Sequence, residues 1–384
     1  MNDILVQKSL DGFNRDNARI PCDVLYRPDD AKYDEDIRNF QGCPTIAVTK
    51  KGRVYVGWYS GGICEPHIEN YNLLRYSDDG INFGKPLLII PSNAERGVHA
   101  LDIQLWIAPN GALWVFWVQN NALKEDEECV KGIMGKDKAG SQPLVTNNGW
   151  CFPDMRHTEW CIVCNDPDAD EPIFSEPRML DIGFLRCKPL VLSSGRWLFF
   201  NYDQLTDRYG YSISDDNGKT FTRRYGAKKY LTPFDEAMAY QRHDGSIHML
   251  ARALGGELPE CVSLDNGDSW QEATLTGIPN PSTRFFISRT PSGRLLLVNN
   301  HHASSRTNMT VYLSDDDGVT WKYTKRIDDR ASLSYPDVDF HDGKIYLVYD
   351  RERTGAKEIL FTVFTEDDII SPDKKIEISI ISKP

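Results

Sequence analysis

What the sequence lacks narrows the field first. No run approaches the ~18 apolar residues of a membrane-spanning helix, so no membrane partner is expected. Helical periodicity is nearly absent; Glu366–Ile370 reads as one turn at most. There is no basic stripe: acidic residues outnumber basic ones 56 to 44, giving a net charge of −12, so nucleic acid is not the expected partner. The nine cysteines form no framework. Cys161 and Cys164 share a strand-like run with no second pair, and read as reduced thiols. The segment Met1–Lys8 has no apolar core or cleavage signal. With the thiols, this makes a cytoplasmic location the expectation. His301-His302 lacks a third ligand at readable spacing, so neither a metal nor another cofactor is expected. Nothing indicates an oligomeric state.

What is present is a repeat. Ser314-Asp315-Asp316-Asp317-Gly318-Val319-Thr320-Trp321 has the same form as Ser214–Phe221 and Ser263–Trp270, and Ser77–Phe83 is a copy one residue shorter. The shared pattern is Ser-x-Asp-x-Gly-x-Thr/Ser-aromatic. Its Asp can accept hydrogen bonds from the turn's own N–H groups, its Gly supplies a positive φ, and its aromatic starts the returning strand. Paired strands with x-Gly between them recur six times: Thr45–Thr49 with Val54–Tyr59, Ile103–Ala108 with Leu113–Gln119, Pro189–Leu192 with Trp197–Tyr202, Ala237–Arg242 with Ile247–Ala251, Phe285–Thr290 with Leu295–Asn299, and Pro336–Phe340 with Ile345–Tyr349. Third strands follow at Asn72–Tyr76, Tyr209–Ile213, Glu260–Val262, Thr310–Leu313 and Glu358–Val363. Six such units make an all-β, six-bladed β-propeller over residues 1–384, with a polar insertion at 120–149 in the second blade beside the site. The ring is expected to close through either the extreme N-terminal strand or Ile376–Ile381. Aromatics at 11% suit such a fold with a sugar-facing surface.

The repeated octapeptide is the Asp box, and with it the chain resembles the sialidase-like (BNR-repeat) β-propellers. The resemblance implies a site at the ring axis. Arg19-Ile20-Pro21 resembles the Arg-Ile-Pro element carrying the first of three family arginines; Arg252 and Arg306 resemble the second and third. Glu236 and Tyr335 stand where the family has its catalytic glutamate and tyrosine. Three converging guanidiniums bind a carboxylate through charge-assisted hydrogen bonds. A tyrosine that gives its proton to a glutamate can attack an anomeric carbon. Asp102 and Lys188, charges at the heads of inner strands, are further candidates for sugar contacts.

One feature departs from the family. The first-blade loop Ser60–Tyr71, where the resemblance implies an aspartic general acid, contains no Asp; Glu65 or Glu69 would have to serve. The expected function is therefore an exo-acting glycoside hydrolase removing a terminal acidic sugar, sialic or uronic. A lyase acting on uronate oligosaccharides and a non-catalytic carbohydrate-binding propeller are the alternatives.

Overall fold

The computed structural model describes residues 17–124, 144–153, 157–203, 206–232 and 234–384. Among the described residues six antiparallel sheets of four or five strands follow one another as blades, each beginning at the ring axis and ending at the outside, with two smaller sheets beside them. The first blade runs outward through Phe40–Val48, Val54–Gly61, Tyr71–Ser77 and Leu88–Pro91, to which Leu25–Tyr26 adds a fifth strand. The second comprises Val98–Ile107, Leu113–Asn121, His157–Cys164 and Arg178–Ile182. Blades three to six begin with Leu190–Val191, Met238–Gln241, Phe286–Arg289 and Leu333–His341. The one helical turn expected near the end of the chain is present as Glu366–Ile370, started by a reciprocal Thr365–Asp368 cap. Among the described residues no helix is long and apolar enough to cross a membrane.

The hairpin tips and boxes behave as their chemistry dictates. Gly52, Gly111, Gly195, Gly245, Gly293 and Gly343 lie at φ between 71° and 95°, in the region that a side chain disfavours. In the fifth-blade box, Asp316 Oδ1 accepts from Thr320 N at 2.8 Å and Ser314 Oγ at 2.8 Å, and Ser314 Oγ accepts from Gly318 N at 2.8 Å. The Asp216 and Asp265 boxes repeat these contacts, and the shorter Asp79 box closes with the amides of Ile81 and Asn82. Cores form between neighbouring blades: one joins blades one and two around Trp117 and Leu105, another joins three and four around Tyr211 and Met249.

The inner strands of blades one, two and six carry the same irregularity. Gly42 pairs with Tyr59 and Thr45 with Gly57, so Cys43 and Pro44 together face Trp58. Asp102 and Ile103 likewise face Trp117, and Tyr335 and Pro336 face Tyr349. In each bulge two residues oppose one. The first of the two is left-handed: φ is 56° at Cys43, 56° at Asp102 and 55° at Tyr335. Such a conformation costs a non-glycine residue on the order of 1–3 kcal/mol. The opposing aromatics Trp58, Trp117 and Tyr349 are fully buried and brace the distortion from the next strand.

The C-terminal half of the expected alternatives closes the sixth sheet: Ser379–Ser382 pairs with Glu358–Thr365, so all four strands of that blade are consecutive in the chain. The seam to blade one is stitched by side chains. Asp337 Oδ2 accepts from Thr45 Oγ1 at 2.7 Å and Ile46 N at 2.9 Å, Asp339 Oδ2 from Val48 N at 2.9 Å, and Asp350 Oδ2 from Cys43 N at 2.7 Å. The insertion begins as a continuation of Leu113–Asn121 and returns as a hairpin, Leu144–Asn147 with Trp150–Pro153, paired to Leu123–Lys124. Residues 125–143 of the expected insertion lie outside the described residues.

Candidate functional site

The bulges aim their first residues at one spot on the axis. Tyr335 is 6% exposed, and its hydroxyl donates to Glu236 Oε1 at 2.5 Å. Glu236 precedes the inner strand of blade four at φ 29°. Burial works against its charge, but Arg252 and Arg186, the phenol's hydrogen bond and Arg284 outweigh it and hold the carboxyl at about 2. Burial and the Glu236 charge push the Tyr335 phenol above the usual tyrosine range, with Arg252 and Arg186 pulling back. At neutral pH the pair is therefore a neutral phenol donating to a carboxylate.

Four guanidiniums surround the phenol ring, with centroid distances of 4.2 Å for Arg353, 4.9 Å for Arg186, 5.1 Å for Arg284 and 5.7 Å for Arg306. A fifth, Arg252, reaches the hydroxyl at 3.2 Å and Glu236 Oε2 at 3.0 Å. They are not equivalent. Arg284 donates to the carbonyls of Pro44, Arg186, Tyr335 and Pro336, which fixes the inner strands to one another. Arg186 lies between Asp102, 2.6 Å away though out of line for a hydrogen bond, and Glu236 at 3.7 Å. Arg306 donates to Ser282 O at 3.3 Å and has no carboxylate partner among the described residues.

Two more carboxyls border the group. Burial pushes Asp102 up to about 7; Arg186 acts against this, while Glu65 and Glu236 add to it. Glu65 comes in from the first-blade loop and pairs with Arg353 Nη1 at 2.9 Å. The Asn70 side chain sets that loop, accepting from Gly62 N at 2.7 Å and donating to Cys64 O at 2.9 Å and Tyr59 Oη at 2.8 Å. The insertion touches the same loop, where Asn148 Nδ2 and His67 Nε2 are 3.1 Å apart. Ligating atoms of Cys43, Glu65 and Asp102 lie within 4.8 Å of one another. Arg186 and Arg353 already neutralise the two carboxyls there, and burial pushes the Cys43 thiol well up, so the donor set suits protons and guanidiniums rather than a metal ion. A surface cavity of about 390 Å³ lined by Arg27, Tyr76, Asp78 and Lys85 lies on the outer side of blade one, away from this group.

The structure thus brings together Tyr335, Glu236, Arg252, Arg306, Asp102 and Glu65. It does not bring Arg19, Lys188 or Glu69 to them. Arg19 is exposed in the turn Asn17–Arg19, a segment docked on blade two because Ala18 O accepts from Gln119, Thr158 and Trp160. Lys188 points along the axis to the seam, 3.7 Å from both Asp337 and Asp339 and bonded to Ile46 O. Glu69 is 76% exposed and faces His67. Sequence reasoning missed Arg186, two residues before the chosen lysine, and Arg353. The latter had a signal: it stands two residues past the second strand of blade six, as Arg252 does in blade four.

The BNR repeat-like domain profile matches residues 104–347, and the chain belongs to that family. A sialidase of Micromonospora viridifaciens is 28% identical over 172 residues; the match spans 41% of this chain and about a quarter, 26%, of that protein. The NanB sialidase of Streptococcus pneumoniae superposes with a TM-score of 0.65 at 16% identity, over 91% of this chain and 71% of its own. The intramolecular trans-sialidase of Ruminococcus gnavus gives 0.63 at 15% identity, over 92% and 99%. At these identities the structural likeness establishes the fold: a sialidase-like six-bladed propeller.

Proposed function

We propose that the protein is an exo-acting glycoside hydrolase that removes a terminal acidic sugar, sialic or uronic, with Tyr335 as nucleophile. The observation carrying this reading is the 2.5 Å hydrogen bond from the Tyr335 phenol to an ionised Glu236 inside a shell of guanidiniums. As the phenol oxygen bonds to the anomeric carbon, its proton passes to Glu236 and the glycosidic bond breaks. The departing oxygen takes up a proton from water. Water then cleaves the glycosyl–tyrosine bond in a second step. The guanidiniums around the ring lower the energy of the developing phenolate. A neutral nucleophile also suits a substrate carboxylate close to the anomeric carbon, because an attacking carboxylate would be repelled.

Charge selects the substrate class. Arg186, Arg252, Arg284, Arg306 and Arg353 outnumber Glu236, Asp102, Glu65 and Asp350, and Asp102 is raised to about 7. The group is therefore cationic in an otherwise acidic chain and attracts an anionic sugar. The test is hydrolysis of 4-nitrophenyl glycosides of N-acetylneuraminic and glucuronic acid. The wild type should release nitrophenol and reducing sugar, and Tyr335→Phe should fall to background. An unsaturated uronyl product, or binding without cleavage, would refute hydrolysis.

A further inference from the structure

Gly42 has no side chain, and Arg353 uses the space. A Cβ on Gly42 would lie 2.7 Å from Arg353 Cγ, 2.8 Å from Cδ and 2.8 Å from Nε. The two residues come from opposite ends of the chain and meet across the seam, where Gln41 N also donates to Arg353 O at 3.0 Å. With its stem laid over Gly42, the guanidinium of Arg353 reaches 4.2 Å from the Tyr335 centroid, closer than the other three. Its Nε donates to Asp350 at 3.0 Å and its Nη2 is 3.4 Å from Ser334 Oγ.

We propose that Arg353 is a specificity-determining residue, completing with Arg252 and Arg306 the clamp on the sugar's anionic group, and that Gly42 is the residue that admits it. This rests on the hydrolase reading above. The choice of three follows from what each guanidinium already holds. Arg284 is spent on four carbonyls, and Arg186 is enclosed by Asp102 and Glu236. A guanidinium has five N–H donors. Arg353 uses three, on Asp350, Glu65 and Ser334, which leaves one on each terminal nitrogen. At 17% side-chain exposure it is also more open than Arg252 at 13%. Asp350 fixes the fork in the plane that a carboxylate needs for paired hydrogen bonds.

The experiment compares each 4-nitrophenyl glycoside acid with its methyl ester. Nitrophenolate departs with little help from an acid, so any change in proton supply contributes little. Wild type should favour the acid. Arg353→Met should shrink the acid-to-ester ratio of kcat/KM by about 10- to 100-fold, the weight of a hydrogen bond to a charged group. Gly42→Ala should shrink it with Arg353 still present, and Gly42→Arg/Arg353→Gly should restore at least about a tenth of it from the other side of the seam. Melting temperatures identify unfolded variants, and Arg353→Lys serves if the methionine variant does not fold, giving an intermediate ratio. Loss on acid and ester alike, with an unchanged ratio, would show a merely structural role and overturn the proposal while leaving the hydrolase reading intact. A wild type that cleaves neither acid would defeat that reading and this inference with it.

Discussion

The Asp boxes and the axial site are built from the same parts, arranged oppositely. Both use carboxylates and left-handed backbone. In a box the positive φ falls on Asn or Asp and then Gly, as at Asn217-Gly218 and Asp317-Gly318, and the Asp finds its partners within four residues. At the axis the positive φ falls on Cys43, Asp102, Glu236 and Tyr335, and the carboxylates find partners from other blades: Glu236 meets Tyr335 across 99 positions, Arg353 meets Glu65 across 288. The central box carboxylates, Asp79, Asp216, Asp265 and Asp316, lie at the surface and are engaged by their own turns. At the axis Glu236 and Asp102 are buried while Glu65 stays open on one side, and each has a partner that comes from another blade. One arrangement makes the fold robust; the other holds strain and charge where chemistry needs them.

Four measurements test this contrast. Glu236→Gln should lower kcat by about 10²- to 10⁴-fold, the usual weight of a positioned acid–base group, and leave melting little changed; steady-state kinetics with calorimetry check both. Trp117→Ala removes the brace behind Asp102 and should cost about 3–5 kcal/mol by urea unfolding. Asp102→Asn tests a pH dependence. The folded carboxyl is raised to about 7 by burial from its ordinary 3.8, so its stability contribution is fully present below about 3.8 and lost as pH rises through 7. The asparagine variant should show a flatter fall in melting temperature over that window, and a weaker alkaline decline in kcat/KM for an acidic glycoside, because the site no longer gains that negative charge. Asp316→Ala should lower melting by a few degrees and leave kcat within about twofold, since surface loops away from the chemistry rarely alter it. A large loss of kcat there would erase the distinction between the two regions.

Legibility in the sequence follows the same division. Boxes and hairpins could be read because their determinants lie within eight residues, and six repetitions set the blade count. Glu236, Arg252, Arg306 and Tyr335 could be placed by their order relative to strands that were themselves legible. Arg19 failed because three letters do not fix a position: the backbone around it serves as an acceptor for blade two. Lys188 and Arg186 stand two residues apart between Phe184–Leu185 and Leu190–Val191, and which one stops beside Glu236 depends on depth along the axis. Glu65 and Glu69 were separable only once Asn70 had fixed the shape of their loop. Arg353 was hidden because its partner is an absence, the missing side chain of Gly42.

The seam between the first and last blades has a kinetic meaning. Gly42, Cys43 and Glu65 lie on one side of it, Tyr335, Asp350 and Arg353 on the other, and among the described residues no strand is shared across the join. Docking the last sheet onto the first therefore assembles the reactive group in the same event that completes the ring. A chain that has made only the first five of these sheets has cores between its blades but lacks Tyr335, so the phenol–carboxylate pair forms only when the sixth sheet docks.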